Sequence, residues 1–409
     1  MSSADPIVDH GTAAHPPSSR GTASSNGNAV GSHYDRLPAP SALDLGREAL
    51  PAPPPAFVVK AVLGLRRAMQ RLTDALCPAD LAMFDTLTGV GKTALLGAVA
   101  RYRIPDLLEA GPLSAEEIAE RAKLDADAVH RALRALAPLG IFRLRSDGKF
   151  ENTRLSKTLG GGRFARMREF AIHYASGSHM AAWGDFAKTL ATGRAAFDRV
   201  HGMTVWDWFE KHPDEREMFA HVMMGLTLQD APVIATVYPW REVKKVCDVG
   251  GGRGSLLSEL LVRHRHLWGV LCDAKGVLSS AEPVLSARGV RDRVDLVPGN
   301  FFEEVPEGAD AYVLKNILHD WDDASCRTIL HAVRAACYEG ARLVVSESIV
   351  ERNSKHLMGT VADLHMMTIC SNGRERGVAE IRSLMEETGF RMGRVFEYPT
   401  MSVLEGIAV

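Results

Sequence analysis

The sequence predicts an α/β fold: an open, Rossmann-like sheet with an antiparallel edge strand, preceded by a mostly helical N-terminal half that holds a winged helix. Three observations carry this. Val246-Cys-Asp-Val-Gly-Gly-Gly-Arg-Gly254 reads as a buried strand that runs into a glycine turn and opens a helix. From residue 244 onward, strand-length apolar runs alternate with helical stretches and close in a hairpin pattern. Between residues 114 and 153 the order is helix, helix, hairpin.

Residues 1–55 are rich in Ser, Ala, Gly and Pro, end in Pro51-Ala-Pro-Pro-Pro55 and show no apolar signal core. Such a segment buries too little apolar area to offset its ordering entropy, so a disordered tail is expected. Residues 57–110 read as helical, with Ala56 to Leu76 amphipathic and a second apolar stripe over Ala79 to Tyr102. Gly89-Val-Gly-Lys-Thr93 imitates half a phosphate loop. Thr86 stands where that pattern needs glycine and no strand precedes it, so a helix bend is expected. Ser114-Ala-Glu-Glu117 is a capping box that starts a helix. A second helix runs from Asp125 to Leu139 and stops at Gly140. Ile141–Arg145 and Lys149–Thr153 flank Ser146-Asp-Gly148 as a hairpin.

This winged helix, placed in a domain spanning 56–160, raises the possibility of a DNA-binding regulator, with Arg131 and Arg134 on the recognition helix. That helix also holds Asp125, Asp127 and a large apolar share, and no basic block flanks it. A fold hosts many functions, and dimerisation is favoured. Residues 161–240 form a helical linker rich in aromatics and Met, among them Met180, Trp183, Trp206 and Phe219. Most should be core, and a minority could line an apolar pocket. The last region, 241–409, carries expected strands at Lys245–Val249, Trp268–Cys272, Asp292–Pro298, Ala309–Leu314, Arg342–Ser348, Met392–Glu397 and Ser402–Ala408.

Composition narrows the function classes. With 46% hydrophobic and 24% charged residues the chain is an ordinary globular sequence, and a net charge of −2 gives no reason to expect nucleic acid. Six cysteines form no C-x-x-C pair, which fits a reducing cytoplasm rather than a disulfide framework. No membrane span is expected, because no run of about 18 apolar residues occurs.

The glycine turn gives the first chemical reading. Asp248, Gly250, Gly252 and Gly254 fall on alternate positions, and Ser255 stands where the dinucleotide fingerprint needs Gly or Ala. A second acid, Asp273, ends the next apolar run, where it can accept from a ribose diol. Glycine turn and ribose acid together imply a nucleoside-bearing cofactor, and this spacing favours S-adenosylmethionine. A second constellation follows the run Ala311–Leu314: Lys315-Asn-Ile-Leu-His-Asp-Trp-Asp-Asp323. It emerges at a strand's carboxyl end, where ligands sit in open α/β sheets, so His319 is expected beside the cofactor pocket.

With the glycine turn, Leu318-His-Asp-Trp-Asp-Asp323, Gly373-Arg-Glu-Arg376 and the ending Gly389-Phe390, the chain over about residues 60–409 resembles the small-molecule O-methyltransferases that use S-adenosylmethionine and carry an N-terminal winged-helix dimerisation domain, of the plant phenylpropanoid and bacterial polyketide-tailoring kind. The resemblance implies a homodimer that methylates a phenol or enol of a small-molecule natural product. It implies His319 as general base, Glu347 and Glu375 as the acids that orient it, and Asp320 as a neighbouring support. It implies cofactor contacts at Gly250, Gly252, Gly254 and Asp273, an adenine position at Asn300 and Phe301, and Lys315 near the methionine end. Met366 and Met367 match the substrate-lining methionines, with Met180 and Trp183 as further lining candidates.

Three positions depart from the family pattern: Asn300 replaces Asp, Ala274-Lys275 replaces Leu-Pro, and Asn372-Gly373 replaces Gly-Gly. They leave the base in place and point to a diverged substrate or a repurposed activity. Methylation at carbon or nitrogen, or a non-methylating reaction, stays open, because pocket geometry selects the atom attacked. A histidine suits general-base work, worth about 10²- to 10⁴-fold, and positioning supplies up to roughly 7–11 kcal/mol in ideal cases. Asp320, Asp322 and Asp323 could suggest Mg²⁺, but acids at a helix start serve more often as caps. His264 and His266 lack a ligand set, and no metal is expected.

Overall fold

The computed structural model describes residues 46–161, 167–354 and 357–409. Residues 1–45 of the expected tail lie outside the described residues.

The N-terminal helices are Ala56–Leu76, Ala79–Leu87 and Gly89–Arg101. The first two bury no residue, and Phe57, Val62, Leu65, Met69, Leu72 and Leu76 are each 60–78% exposed in this chain. A continuous apolar stripe of this size on a helix pair needs a cover. Thr88 joins the second helix to the third, so Gly89-Val-Gly-Lys-Thr93 is a helix start after a bend and follows no strand. Ser114 Oγ accepts from Glu117 N at 3.2 Å and Glu117 Oε2 accepts from Ser114 N at 2.6 Å, closing the capping box of Ala115–Ala122. Asp125 caps Ala126–Leu136. β1 (Phe142–Leu144) and β2 (Phe150–Asn152) then pair antiparallel as the wing. Phe142 and Phe150 are buried, as are Ile118, Leu133 and Leu136 of the two helices before them. Arg131 lies 3.5 Å from Asp127 on the exposed side of its helix.

Six helices follow, from Arg168–Tyr174 to the long Pro213–Val237. They share a core with the C-terminal region rather than forming a separate layer. Ala182, Phe197, Val205 and Phe209 pack with Ile369 and Cys370, and Trp206 stacks on Trp321 at 5.7 Å.

The C-terminal sheet holds β3 (Lys245–Val249), β4 (Trp268–Asp273), β5 (Val294–Pro298), β6 (Ala311–Lys315), β7 (Arg342–Glu347), β8 (Phe390–Phe396) and β9 (Ser402–Ala408), in the order β5-β4-β3-β6-β7-β9-β8. β3 to β7 are parallel. The closing hairpin completes the edge, and within it β9 runs against both neighbours, between β7 and β8. The chain leaves β3 toward β4 on one side and reaches β6 on the other. The crevice for a ligand therefore opens at the carboxyl ends of β3 and β6.

One expectation needs correction. The tail does not stay loose up to residue 55. The described segment from residue 46 is strapped onto the C-terminal region. Leu50 is buried, and its N–H donates to Glu259 Oε2 at 3.1 Å. Arg288 donates to the carbonyls of Gly46 and Glu48 and to Glu259 Oε2 at 2.7 Å. Arg263 donates to the Leu50 carbonyl at 2.6 Å, and Tyr398 Oη to that of Pro54 at 2.9 Å. Specific hydrogen bonds to distant residues, with the burial of Leu50 against Met224 and Leu228, offset the entropy.

Candidate active site

The glycine turn lies at the switch point. Gly250 has φ +69°, and a Cβ built there would sit 2.6 Å from Ile317 Cδ1 and 3.4 Å from Phe301 Cε1. The loops after β3, β5 and β6 thus meet at one glycine. Gly252 has φ +58° with open space where a Cβ would be, which leaves its backbone approachable. Gly254 precedes the helix Ser255–Arg263 with φ +72°.

Asp273 Oδ2 accepts from Gly252 N at 2.8 Å and Oδ1 accepts from Ala274 N at 2.7 Å. The acid at the tip of β4 therefore also braces the turn, with lone pairs left on each oxygen. Asp248 is buried beneath, and its Oδ2 has no hydrogen-bond partner among the described residues. Burial, then the charge of Asp273, pushes its carboxyl up to about 7. An acid with one free carboxylate oxygen under an open glycine turn fits a ligand that brings an amine and a sulfonium. Phe301 borders the same turn. Asn300 turns its amide into its own loop: Oδ1 accepts from Phe302 N at 3.1 Å and Nδ2 donates to Glu303 Oε1 at 2.9 Å. Lys315 ends β6 buried, 3.3 Å from Asp230 Oδ2 and 3.2 Å from Thr227 Oγ1 of the Pro213–Val237 helix.

His319 lies in a single-turn 3-10 helix, Leu318–Asp320, just after β6. Its Nδ1 stands 3.0 Å from Glu375 Oε1 and 3.7 Å from Glu347 Oε2. The carboxylate can only accept, so Nδ1–H donates, and in the neutral imidazole Nε2 carries the free lone pair. Asp320 Oδ1 is 3.6 Å from Nε2, beyond a hydrogen bond. Glu347 Oε1 accepts from Ile317 N at 3.1 Å and Leu318 N at 2.9 Å, fixing the backbone that presents the imidazole. Burial pulls the pKa of His319 down, but the charges of Glu347, Asp320 and Glu375 outweigh it and push the imidazole up to about 10. Burial pushes Glu347 up to about 7 and Asp320 to about 6.

Among the described residues, His319, Glu347 and Glu375 are also the one group whose donor atoms, all within 4.8 Å of one another, could hold a cation. Asp322 and Asp323, the acids that suggested Mg²⁺, are engaged elsewhere. Asp322 caps the helix Asp323–Ala336, and Asp323 pairs with Arg376 at 2.8 Å.

Some supporting residues were not singled out in the sequence. Arg376 is buried and donates to the carbonyls of Leu318 and Trp321 at 2.6 and 2.7 Å, clamping the turn around His319. It lay in the Gly373-Arg-Glu-Arg376 motif, and a charge beside a presumed site acid was the available signal. Asp363 accepts from Glu375 N at 2.9 Å, tying the helix Leu357–Ile369 to the same loop. That helix carries Met366 and Met367. Met366 packs with the core shared by Ala182 and Phe209, and Met367 is half-buried. Met180 and Trp183 lie on Gly177–Gly184, and the Trp183 ring centroid is 6.1 Å from that of His365.

A family model for the O-methyltransferase domain matches residues 183–391, and one for the O-methyltransferase dimerisation domain matches residues 84–160. The chain belongs to the O-methyltransferase family. A mitomycin biosynthesis 6-O-methyltransferase from Streptomyces lavendulae is 31% identical over 323 residues, 79% of this chain and 92% of that one. An 8-amino-8-demethylriboflavin N,N-dimethyltransferase from Streptomyces davaonensis is also 31% identical, over 72% of this chain and 86% of that one. Among solved structures, an O-methyltransferase from neocarzinostatin biosynthesis, in complex with S-adenosylmethionine and 2-hydroxy-5-methyl naphthoic acid, superposes with a TM-score of 0.68. It is 30% identical, covering 78% of this chain and 96% of that chain.

This methyltransferase uses S-adenosylmethionine and methylates hydroxyl groups of small molecules. It carries a dimerisation domain, and no helix among its described residues is long and apolar enough to cross a membrane.

Proposed function

We propose that His319 is the general base that removes the acceptor's hydroxyl proton, through Nε2, and that the acceptor is a phenol or enol of a natural product. The observation that carries this is the 3.0 Å hydrogen bond from Nδ1 to Glu375, which leaves Nε2 as the nitrogen that accepts once the ring is neutral. A phenol and this histidine titrate near the same pH, about 10, so moving the proton between them costs little. Glu347 holds the backbone, Glu375 the ring and Asp320 the field on the Nε2 side. S-adenosylmethionine supplies a methyl group already activated on a sulfonium. Gly250, Gly252, Gly254 and Asp273 hold the nucleoside end, and Phe301 gives an apolar wall. Lys315 fixes the neighbouring helix through Asp230. Asn300, in place of the family's Asp, can still accept from an adenine amine through the second lone pair of its Oδ1. Met180, Trp183, Met366 and Met367 line the acceptor side.

The apolar stripe of Ala56–Leu76 and Ala79–Leu87 is the surface on which a second copy docks, making a homodimer. Six free cysteines fit a reducing compartment, and we place the enzyme in the cytoplasm. The test is transfer of an isotopically labelled methyl group to a panel of phenols and hydroxynaphthalenes, with mass spectrometry locating the label. Label on the phenolic oxygen is expected, and label on ring carbon or on an amine would contradict the reading.

A further inference from the structure

We infer that His365 is a specificity-determining residue of the acceptor site, whose imidazole hydrogen-bonds through Nδ1 to an uncharged oxygen on a flat aromatic acceptor. This rests on the methyltransferase reading above and adds the chemistry of the ring position near the reacting hydroxyl.

The helix Leu357–Ile369 sets His365 next to Met366 and Met367. Its ring is nearly parallel to three others from the helical region. Centroid distances are 4.7 Å to Tyr174, 5.6 Å to His179 and 6.1 Å to Trp183, with interplanar angles of 17°, 16° and 24°. The rings stack on one another and leave no slot between them, so they make one flat aromatic surface along which a flat ring system can lie.

The polar atom in this apolar frame has no use in the chain itself. His365 Nδ1 is buried with no hydrogen-bond partner among the described residues. Other histidines in the fold are partnered: His179 Nδ1 with Ser176 Oγ at 3.1 Å, His201 Nε2 with the Ser178 carbonyl at 3.0 Å, His264 Nε2 with the Ala235 carbonyl at 2.8 Å. Leaving a buried nitrogen unmet is unfavourable, and a bound ligand that meets it gains selectivity over one that does not.

Charge decides which ligand group fits. Burial, then the positive fields of His173 and His319, holds the His365 pKa down to about 3. It stays neutral in the working range, so it offers no cation to a carboxylate. Neutral imidazole can place a donor or an acceptor at Nδ1, depending on tautomer, which matches a ketone or hydroxyl oxygen. The Asp363–Glu375 bond ties the helix of His365 to the loop whose Glu375 holds His319, so the matched oxygen belongs on the side of the acceptor that faces the base.

The test compares wild type, His365→Phe and His365→Gln on three acceptors: 2-acetyl-1-naphthol, its ketone-free analogue 2-ethyl-1-naphthol, and 1-hydroxy-2-naphthoate. Phe keeps the flat wall and removes the nitrogen; Gln keeps a donor and an acceptor. The readout is the acetyl-to-ethyl ratio of kcat/KM, taken for each protein and then compared, so that acceptor acidity cancels. Wild type is expected to show a ratio at least tenfold above that of His365→Phe, with the loss falling on the ketone. His365→Gln should recover most of it, and the carboxylate should be the poorer substrate for wild type. An unchanged ratio in His365→Phe, an equal loss on both acceptors, or a preference for the carboxylate would overturn the assignment. Wild type that binds S-adenosylhomocysteine yet methylates none of the three would overturn the aromatic-acceptor reading itself, and this inference with it.

Discussion

At the scale of single residues, three carboxylates are gathered around one imidazole. Each raises the pKa of His319 against the pull of burial, so the form able to accept a proton grows as pH rises toward about 10. The acid limb of kcat/KM should therefore climb through the alkaline range in wild type. Glu375→Gln removes one raising charge, and the limb should move to lower pH by roughly a unit or more. A pH–rate profile of the two proteins checks this, and a limb that stays in place or moves up would show that Glu375 does not act on the base. Gly250→Ala makes a different demand. A Cβ there meets Ile317 at 2.6 Å in a left-handed backbone, so affinity for S-adenosylhomocysteine should fall at least about tenfold by calorimetry. His319 could be singled out because it follows the carboxyl end of a strand, and Glu347 and Glu375 through the family resemblance of the segments that carry them. Asn300 could not be placed, because its neighbours Phe302 and Glu303 compete for the amide. His365 was silent for another reason: its meaning depends on Tyr174 and Trp183, nearly 200 residues away in the chain.

At the scale of elements, β3, β4, β6 and β7 were readable as buried apolar runs of strand length, whereas β8, with Arg391, Gly393 and Arg394, begins at Phe390 and not at the expected Met392, and β5 begins at Val294 after a 3-10 turn and not at Asp292. The winged helix was readable from its capping box and its Ser146-Asp-Gly148 turn. The strap before residue 56 was not, since nothing in a Pro-rich stretch announces Glu259 and Arg288, more than 200 residues further on. Both of those side chains are about 1% exposed. Arg288→Met should leave Glu259 with one fewer buried partner and cost about 3 kcal/mol or more, seen as a lower Tm. Replacing both, Arg288→Met with Glu259→Leu, should return part of that loss. If the single substitution leaves Tm unchanged, the strap is not held as described. The exposed stripe on Ala56–Leu76 makes a separate prediction. Leu65→Glu combined with Leu72→Glu should turn a dimer into a monomer in light scattering, while wild type stays dimeric. Equal masses for the two proteins would remove that helix from the interface.

At the scale of the whole molecule, the sheet's switch point brings the glycine turn and the histidine loop to one crevice, and the helical region supplies the aromatic wall above it. The proposed roles put cofactor binding on the turn and Asp273 and proton removal on His319, so the two should separate under mutation. The most direct measurement is His319→Ala, with S-adenosylhomocysteine affinity and turnover of a phenolic acceptor determined on the same preparation. Affinity should stay within a few-fold of wild type. Turnover at neutral pH should fall about 100-fold or more, and raising the pH toward 10, where a phenol ionises unaided, should restore part of it. Near-native turnover at neutral pH, with the fold and cofactor affinity intact, would contradict the role given to His319.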